Sequence, residues 1–157
     1  MFKYIVILAF GFLIMITGCT NHSKSKASDD YKFPNESHLK NIKMLTHGGE
    51  NAEAYLSFDE ERIIFQATRD GMKCDQEFIM NMDGSDVQLV STGKGRTTCG
   101  YFLPGDSTIL YASTHLASPD CPPAPDMSRG YVWKLYDSFD IFKAGSHGKI
   151  ISRLTDT

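Results

Sequence analysis

The amino-acid sequence predicts an all-β fold made of repeated antiparallel units. One observation is that short apolar runs of period two, rich in β-branched and aromatic residues, fill most of the chain downstream of Gly49. A second is that "LSFDEERIIFQA" at 56–67 returns in outline as "FLPGDSTILYAS" at 102–113. Because these runs contain no capped amphipathic helix, we expect sheets without intervening helices.

Four runs make up the first copy of the unit, and each has the length of one strand. They are "EAYLSF" (53–58), "ERIIFQAT" (61–68), "QEFIMNM" (76–82) and "DVQLVS" (86–91). Asp83-Gly84, between the last two runs, predicts a tight hairpin because both residues tolerate positive φ. Asp59-Glu60 and Gly105-Asp106 occupy the equivalent turn in the two copies.

The two copies can be superposed residue by residue. Ile63 matches Ile109 and Phe65 matches Tyr111, in each case 46 positions later. Leu45-Thr46 matches Val90-Ser91, 45 positions later, and Leu154-Thr155 a further 64 positions along the chain. Removing an insertion of about 19 residues restores the period. A recurrence of roughly 40 to 50 residues with four strands per unit is typical of the blades of a β-propeller.

The repeated segments resemble a known family. "LSFDEERIIFQA", "FIMNMDGSDVQLVS" and "FLPGDSTILYAS" are similar to the blade repeat of TolB-like six-bladed β-propellers, over residues 42–157 apart from the insertion. Phe58 stands where the family has Pro, and Gly105-Asp106 inverts its Asp-Gly. The resemblance implies a partial propeller over 38–157, with blades at 46–91 and 92–157 and an insertion at 115–137.

Two blades fall short of the six that the family needs to close its ring. An open pair of blades exposes sheet faces and edges that a closed ring would bury. We therefore expect a fragment of a longer protein, with assembly of several short chains as the alternative. The segment "LKNIKMLT" at 39–46 resembles the strand that closes such rings, and we expect it to be the least protected strand.

The N-terminus is typical of an exported protein. Lys3 precedes an apolar run at 4–16 that is shorter than a bilayer span, and "ITGC", ending at Cys19, follows it. This sequence resembles the bacterial lipobox, which implies a lipoprotein signal peptide at 1–18 and acylation of Cys19. The alternatives are a plain secretory signal whose cysteine is coincidental, or an anchor helix.

Acylation of Cys19 would decide where the protein resides. Several acyl chains on one residue hold a protein stably to a membrane. The resemblance therefore implies a lipid-anchored protein of the cell envelope, on the periplasmic or surface side of the outer membrane, since Thr20 is not the Asp that retains enteric lipoproteins at the inner membrane. Residues 19–37 are polar and rich in Ser, Lys and Asp, which predicts a flexible tether.

Three cysteines remain in the globular part, an odd number for an oxidising compartment. The expected strand order places Cys74 and Cys121 in second-to-third connections and Cys99 immediately before a first strand, so all three should gather at one face. We expect one disulfide and a leftover thiol, and prefer Cys99–Cys121 because it would pin the insertion to its own blade. A three-thiolate metal site with His115 is the alternative.

The insertion is the least strand-like part of the chain and supplies the candidate binding residues. Long loops in compact folds are commonly functional, and Tyr and Trp are enriched where proteins bind partners. The candidates are His115, Asp120, Asp126, Arg129, Tyr131, Trp133 and Tyr136. The alternative is a loop that packs its aromatic side chains against its own blade.

Composition and motifs favour a binding protein over an enzyme. The chain has 157 residues, 41% of them hydrophobic, and a formal net charge of −3, with Lys and Arg scattered, so nucleic acid is not an expected partner. "THGGE" around His47 lacks a G-x-S-x-G serine, "STGKGRTT" at 91–98 lacks the spacing of a phosphate loop, and "NMDGSD" at 81–86 lacks the last acid of a calcium loop. We expect no catalytic residues, no metal and no cofactor.

The resemblance implies a non-enzymatic binding or scaffold module whose propeller face binds an envelope protein, a peptide or a glycan, and whose lipid binds the membrane. TolB itself docks envelope partners, notably a peptidoglycan-associated lipoprotein. The alternative is the N-terminal propeller of a larger secreted hydrolase, a prolyl-oligopeptidase-like peptidase or an amidohydrolase, with its catalytic residues elsewhere. Analogy of fold does not choose between the two.

Overall fold

In a computed structural model of the protein, the described residues are 31–132 and 134–156. The predicted signal peptide, Cys19, the first part of the tether and Trp133 lie outside these ranges. Within them, no helix has the length and apolar character needed to cross a membrane. The chain divides into two compact units, 1–43 and 44–157, and the strands described here all belong to the second.

The second unit contains two four-stranded antiparallel sheets, in each of which the strands follow one another in chain order. The first sheet consists of β1 (Glu50–Leu56), β2 (Arg62–Thr68), β3 (Gln76–Asn81) and β4 (Gln88–Leu89). The second consists of β5 (Thr97–Phe102), β6 (Thr108–Ser113), β7 (Asp140–Gly145) and β8 (Ile150–Arg153). The predicted all-β class and the four-strand unit are confirmed, and neither sheet closes on itself in the described part of the chain.

Alternation along the strands divides the apolar residues between the two faces of each sheet. In the first sheet, Ile64 pairs with Ile79 on one face, and Phe65 pairs with Phe78 on the other. The first of these faces packs on the second sheet. The shared core contains Ile64, Ile79, Val90, Phe102, Ile109, Tyr111, Phe142 and Ala144.

The far face of the first sheet is also buried. The rings of Phe65 and Phe78 stack with centroids 5.8 Å apart, and Leu45 and Met72 pack against the same cluster. Arg69 places its guanidinium 5.6 Å from the centroid of the Phe78 ring. Segments outside the strands therefore cover the face that the second sheet does not reach.

The sequence recurrence is also a recurrence of hydrogen bonds. The Ser91 hydroxyl accepts a bond from the Glu77 backbone N–H at 3.0 Å, and the Thr155 hydroxyl accepts one from the Ile141 N–H at 2.9 Å. Both partners of the second bond lie 64 positions after those of the first. In each sheet, the segment that follows the last strand is thus fixed to the third strand by the same contact.

Hairpin contacts join the two sheets at the edge that carries the β1–β2 and β5–β6 turns. The carboxylate of Asp106 accepts hydrogen bonds from the N–H groups of Phe58 at 2.8 Å and Asp59 at 3.0 Å. The Asp106 carbonyl accepts another from the Arg62 guanidinium at 2.8 Å. Hydrogen bonds with one charged partner are among the stronger ones, so this buried aspartate fixes one sheet to the other.

The prediction of a strand at 39–46 is wrong. These residues have no strand hydrogen bonding, because the described residues offer them no partner strand. Leu45 nevertheless takes the position expected from the repeat. A Cβ added at Gly84 would lie 3.0 Å from the carbonyl oxygen of Leu45. In the second sheet, a Cβ added at Gly148 would lie 3.2 Å from the carbonyl oxygen of Val90, so the two glycines approach matched residues of the repeat in the same way.

Candidate functional site

Three connections meet at the edge of the sheets opposite the β1–β2 turn, and we call this the loop edge. They join β2 to β3, β4 to β5 and β6 to β7. Antiparallel order places these connections on the same side. A disulfide joins Cys74 to Cys121, and the Gly95 N–H donates to the Pro119 carbonyl at 2.9 Å. The strand-order argument is therefore confirmed for these two cysteines.

The preferred pair Cys99–Cys121 is wrong. Cys121 bonds instead to Cys74, with the two Cα atoms 6.0 Å apart, and Cys99 is a free, exposed thiol. Cys99 does not precede the strand but lies inside β5, where the register to β6 shifts between Thr98 and Tyr101 and its own φ is 57°. The disulfide consequently ties the insertion to the first sheet, not to its own.

Gln76, at the start of β3, organises the connection between the sheets. Its Oε1 atom accepts hydrogen bonds from the Ser91 hydroxyl at 2.7 Å and the Gly93 N–H at 3.0 Å. Its Nε2 donates to the Gly95 carbonyl at 2.7 Å. Gly95 has a φ of 59°, and a Cβ there would lie 2.8 Å from the His115 backbone nitrogen, so this glycine is required for the close approach of the insertion.

A shallow cleft of about 240 Å³ lies beside the disulfide. Lys73 and Asp120 bring side chains of opposite charge to its lining, together with Gln76 and the glycines of the β4–β5 connection. Of the candidate residues predicted from sequence, Asp120 lines this cleft. The cleft therefore lies next to the insertion and shares its disulfide.

His115 anchors the beginning of the insertion. Its ring lies 4.3 Å from that of Phe142, centroid to centroid, and its Nδ1 is 2.9 Å from the Ser113 hydroxyl. Burial lowers the pKa of His115, while nearby Asp140 raises it and Lys94 lowers it. A half-buried ring packed against the buried Phe142 fits a packing role better than contact with a ligand.

Tyr136 also packs against its own part of the chain, as the alternative interpretation of the insertion expected. Its hydroxyl donates to the Pro123 carbonyl, and its ring centroid lies 6.3 Å from that of Phe139. The Lys134 ammonium lies 5.1 Å from the centroid of the Tyr136 ring. These contacts fold the insertion back on itself.

The middle of the insertion is open to solvent. Tyr131 is 82% exposed and Leu135 is 87% exposed, and Arg129 is exposed as well. The Asp126 carboxylate accepts a bond from the Ser128 N–H at 2.9 Å, which lowers the pKa of Asp126. Among the described candidates, His115 and Tyr136 thus pack, Asp120 lines the cleft, and Asp126, Arg129 and Tyr131 are exposed.

Glu77 is the residue that sequence reasoning missed. This β3 side chain is fully buried between the sheets, with Oε1 accepting a bond from the Gly100 N–H at 3.1 Å and Oε2 without a hydrogen-bond partner among the described residues. Burial raises the pKa of Glu77 to about 7, with smaller upward contributions from the carboxylates of Asp75 and Glu53 and a downward one from the Gly100 bond.

Tyr111 faces the same part of the core. Its hydroxyl is buried and has no partner in the described structure, and burial together with Glu77 raises its pKa to about 12. The sequence repeat contains one indication that Glu77 is unusual: the matching residue of the second copy, 64 positions later, is Ile141. A carboxyl at a position that is apolar in the other copy could have indicated a buried acid.

Within the described ranges, no group of three or more His, Cys, Asp or Glu side chains is arranged to hold a metal ion. No protein-family model matches the chain, and no curated protein is significantly similar to it in sequence.

Proposed function

We propose that this protein is a non-enzymatic binding or scaffold module of the bacterial cell envelope, with TolB-like propeller blades and a lipid anchor at Cys19. The repeated hydrogen bonds at Ser91 and Thr155 and the face-to-face packing of the two sheets support the assignment of the sheets as blades. The lipobox-like sequence supports the anchor and a periplasmic or surface location at the outer membrane.

One observation carries the binding function: the insertion displays exposed Tyr131 and Leu135 while a disulfide fixes its first part to the sheets. Large apolar side chains that remain in solvent on one loop favour contact with a partner. A loop restrained by the Cys74–Cys121 bond loses less conformational entropy on binding than a free one. The partners that suit such a surface are an envelope protein, a peptide or a glycan.

Photo-crosslinking in intact cells tests this function. A benzophenone amino acid at position 131 of the full-length protein should give a discrete crosslinked product. The matched control is position 147, an exposed residue of the β7–β8 hairpin on the opposite edge, which should give none. Identical patterns from the two positions, or no product from positions 131 and 135, would contradict a binding role for the insertion.

The anchor needs a separate measurement. Mass spectrometry of the mature N-terminus should show acyl additions on Cys19, and Cys19→Ala should release the protein from the membrane fraction. An unmodified mature chain that begins at another residue would refute the anchor while leaving the crosslinking result intact.

A further inference from the structure

Three aromatic rings from the first strand of each sheet and from the β1–β2 turn meet at the surface. Tyr55 of β1 and Phe58 of the following turn both contact Tyr101 of β5. Their ring centroids lie 5.5 Å and 6.4 Å from that of Tyr101, in edge-to-face arrangements. We call these three residues the aromatic patch.

The aromatic patch stays open to solvent. Tyr55 is 40% exposed, Phe58 is 56% exposed and Tyr101 is 47% exposed. Single exposed apolar residues are common on protein surfaces, but contiguous ones indicate a site of interaction. Edge-to-face packing also holds the rings in place before any ligand arrives, so little side-chain entropy remains to be lost on binding.

The segment that carries Tyr55 and Phe58 is rich in carboxylates. Residues 48–62 contain five carboxylates, at Glu50, Glu53, Asp59, Glu60 and Glu61. The one cation in that segment is Arg62, whose guanidinium already bonds to the Asp106 carbonyl and lies 5.1 Å from the centroid of the Phe102 ring. Residues 97–107, which contain β5, have no Lys or Arg.

One of these carboxylates touches the aromatic patch directly. The Tyr55 hydroxyl donates to Glu53 Oε2 at 2.8 Å, and this bond raises the pKa of Tyr55. Glu53 sits at a β-bulge with a φ of 49°, which turns its side chain out of the regular alternation of β1. The Tyr55 ring and a carboxylate, both electron-rich, are thereby placed side by side.

We propose that the aromatic patch binds the Lys or Arg side chains of a basic protein segment. A cation over a ring face is attracted by the ring quadrupole, and a carboxylate beside the ring accepts a charge-assisted hydrogen bond from the same cation. An anionic ligand would be repelled by the same carboxylates, and a neutral apolar one would gain nothing from them. The chemistry on this surface therefore selects a cation.

This site is distinct from the loop edge. Phe58 belongs to the β1–β2 turn, and β2 runs from that turn to the opposite side, where Cys74 fixes the insertion. The inference goes beyond the proposed function and can fail without it, since crosslinking at position 131 does not report on the aromatic patch.

Binding of fluorescent hexa-arginine and hexa-lysine to the full chain tests the proposal. Tyr101→Leu keeps an apolar side chain but removes the ring, and should weaken binding roughly two- to fivefold, whereas Tyr101→Phe should not. Glu53→Gln should weaken binding by a similar factor. The control Phe33→Leu removes a ring that is 82% exposed and does not belong to the aromatic patch, and it should leave the affinity unchanged.

A second probe separates cation recognition from attraction between net charges. Tetramethylammonium should shift the ring proton resonances of the aromatic patch, and tert-butanol, which is neutral and similar in shape, should not. Equal binding of the peptides to Tyr101→Leu and to the unchanged protein would overturn the proposal, as would equal shifts from the two small molecules. Circular dichroism of each variant establishes that it is folded.

Discussion

Removing the charge at Glu77 should change how the stability of the protein depends on pH. In the folded state this carboxyl is buried between the sheets, and burial raises its pKa from the ordinary 4.5 to about 7. Glu77→Gln keeps nearly the same shape and hydrogen-bonding capacity as the protonated acid but does not ionise. The variant should therefore lack the part of the pH dependence that comes from this site.

The sign and size follow from proton linkage. Below pH 4.5 the carboxyl is protonated in the folded and unfolded chains alike, so the stability that it contributes is fully present. Between pH 4.5 and about 7 the unfolded chain loses the proton and the folded one keeps it, so stability falls as pH rises. The full pKa difference corresponds to about 3 kcal/mol, of which roughly 2 to 3 kcal/mol falls between pH 5 and 8.

Urea denaturation at a series of pH values, followed by far-UV circular dichroism with the disulfide intact, measures this quantity. The free energy of unfolding of Glu77→Gln minus that of the unchanged protein should grow by roughly 2 to 3 kcal/mol from pH 5 to pH 8. Taking the difference cancels the titration of all other groups. Glu61→Gln, at an exposed position in the β1–β2 turn, is the matched control and should give a flat difference.

Two curves that run parallel from pH 5 to pH 8 would refute the reasoning. That result would mean that Glu77 is ionised in the folded protein at pH 5, with a partner for Oε2 that the structure does not contain. A difference that grows equally in Glu61→Gln would refute it too, because the effect would then come from net charge and not from burial.

Two further predictions concern the core and the disulfide. Gly100→Ala should lower the free energy of unfolding by about 1 to 3 kcal/mol, because the added methyl would lie 2.8 Å from Cδ1 of Ile64 and 2.7 Å from Cδ of Glu77. The control Gly145→Ala, where the nearest atom would be 3.8 Å away, should lower it much less. Replacing Cys74 and Cys121 together by Ser should cost about 4 kcal/mol for their separation of 47 residues, with Cys99→Ser close to neutral. A linked 99–121 peptide in a non-reducing digest would contradict this assignment.

The strands were predictable because their causes are local. Alternating apolar residues in 61–68 and 76–82 give β2 and β3 within a residue or two, and Gly84, at φ 86°, lies in the turn of the β3–β4 hairpin that Asp83-Gly84 predicts. The missing strand at 39–46 shows the limit of this reasoning. A strand needs a neighbour to accept and donate its backbone hydrogen bonds, and the local pattern does not report whether one is present.

The candidate site was predictable only in part. Strand order correctly brought Cys74 and Cys121 to one edge, yet it gave Cys99 the wrong place, because the bulge that retains Cys99 inside β5 leaves no mark in the residue pattern. Tyr131 is exposed, as the binding interpretation of the insertion expects, and Tyr136 packs, as the alternative expects. The inward packing of His115 depended on Phe142, 27 positions away.

By itself the sequence determined the alternation, the turns and the repeat, since each depends on the residues within one strand or hairpin and on copying that unit. The tertiary structure alone decided which cysteine Cys121 meets, that Glu77 is shut away from water, and that Tyr55 and Tyr101 share a surface. These outcomes depend on how two sheets pack face to face. The distance between side chains on different sheets is set by that packing, and nothing in the neighbouring residues encodes it.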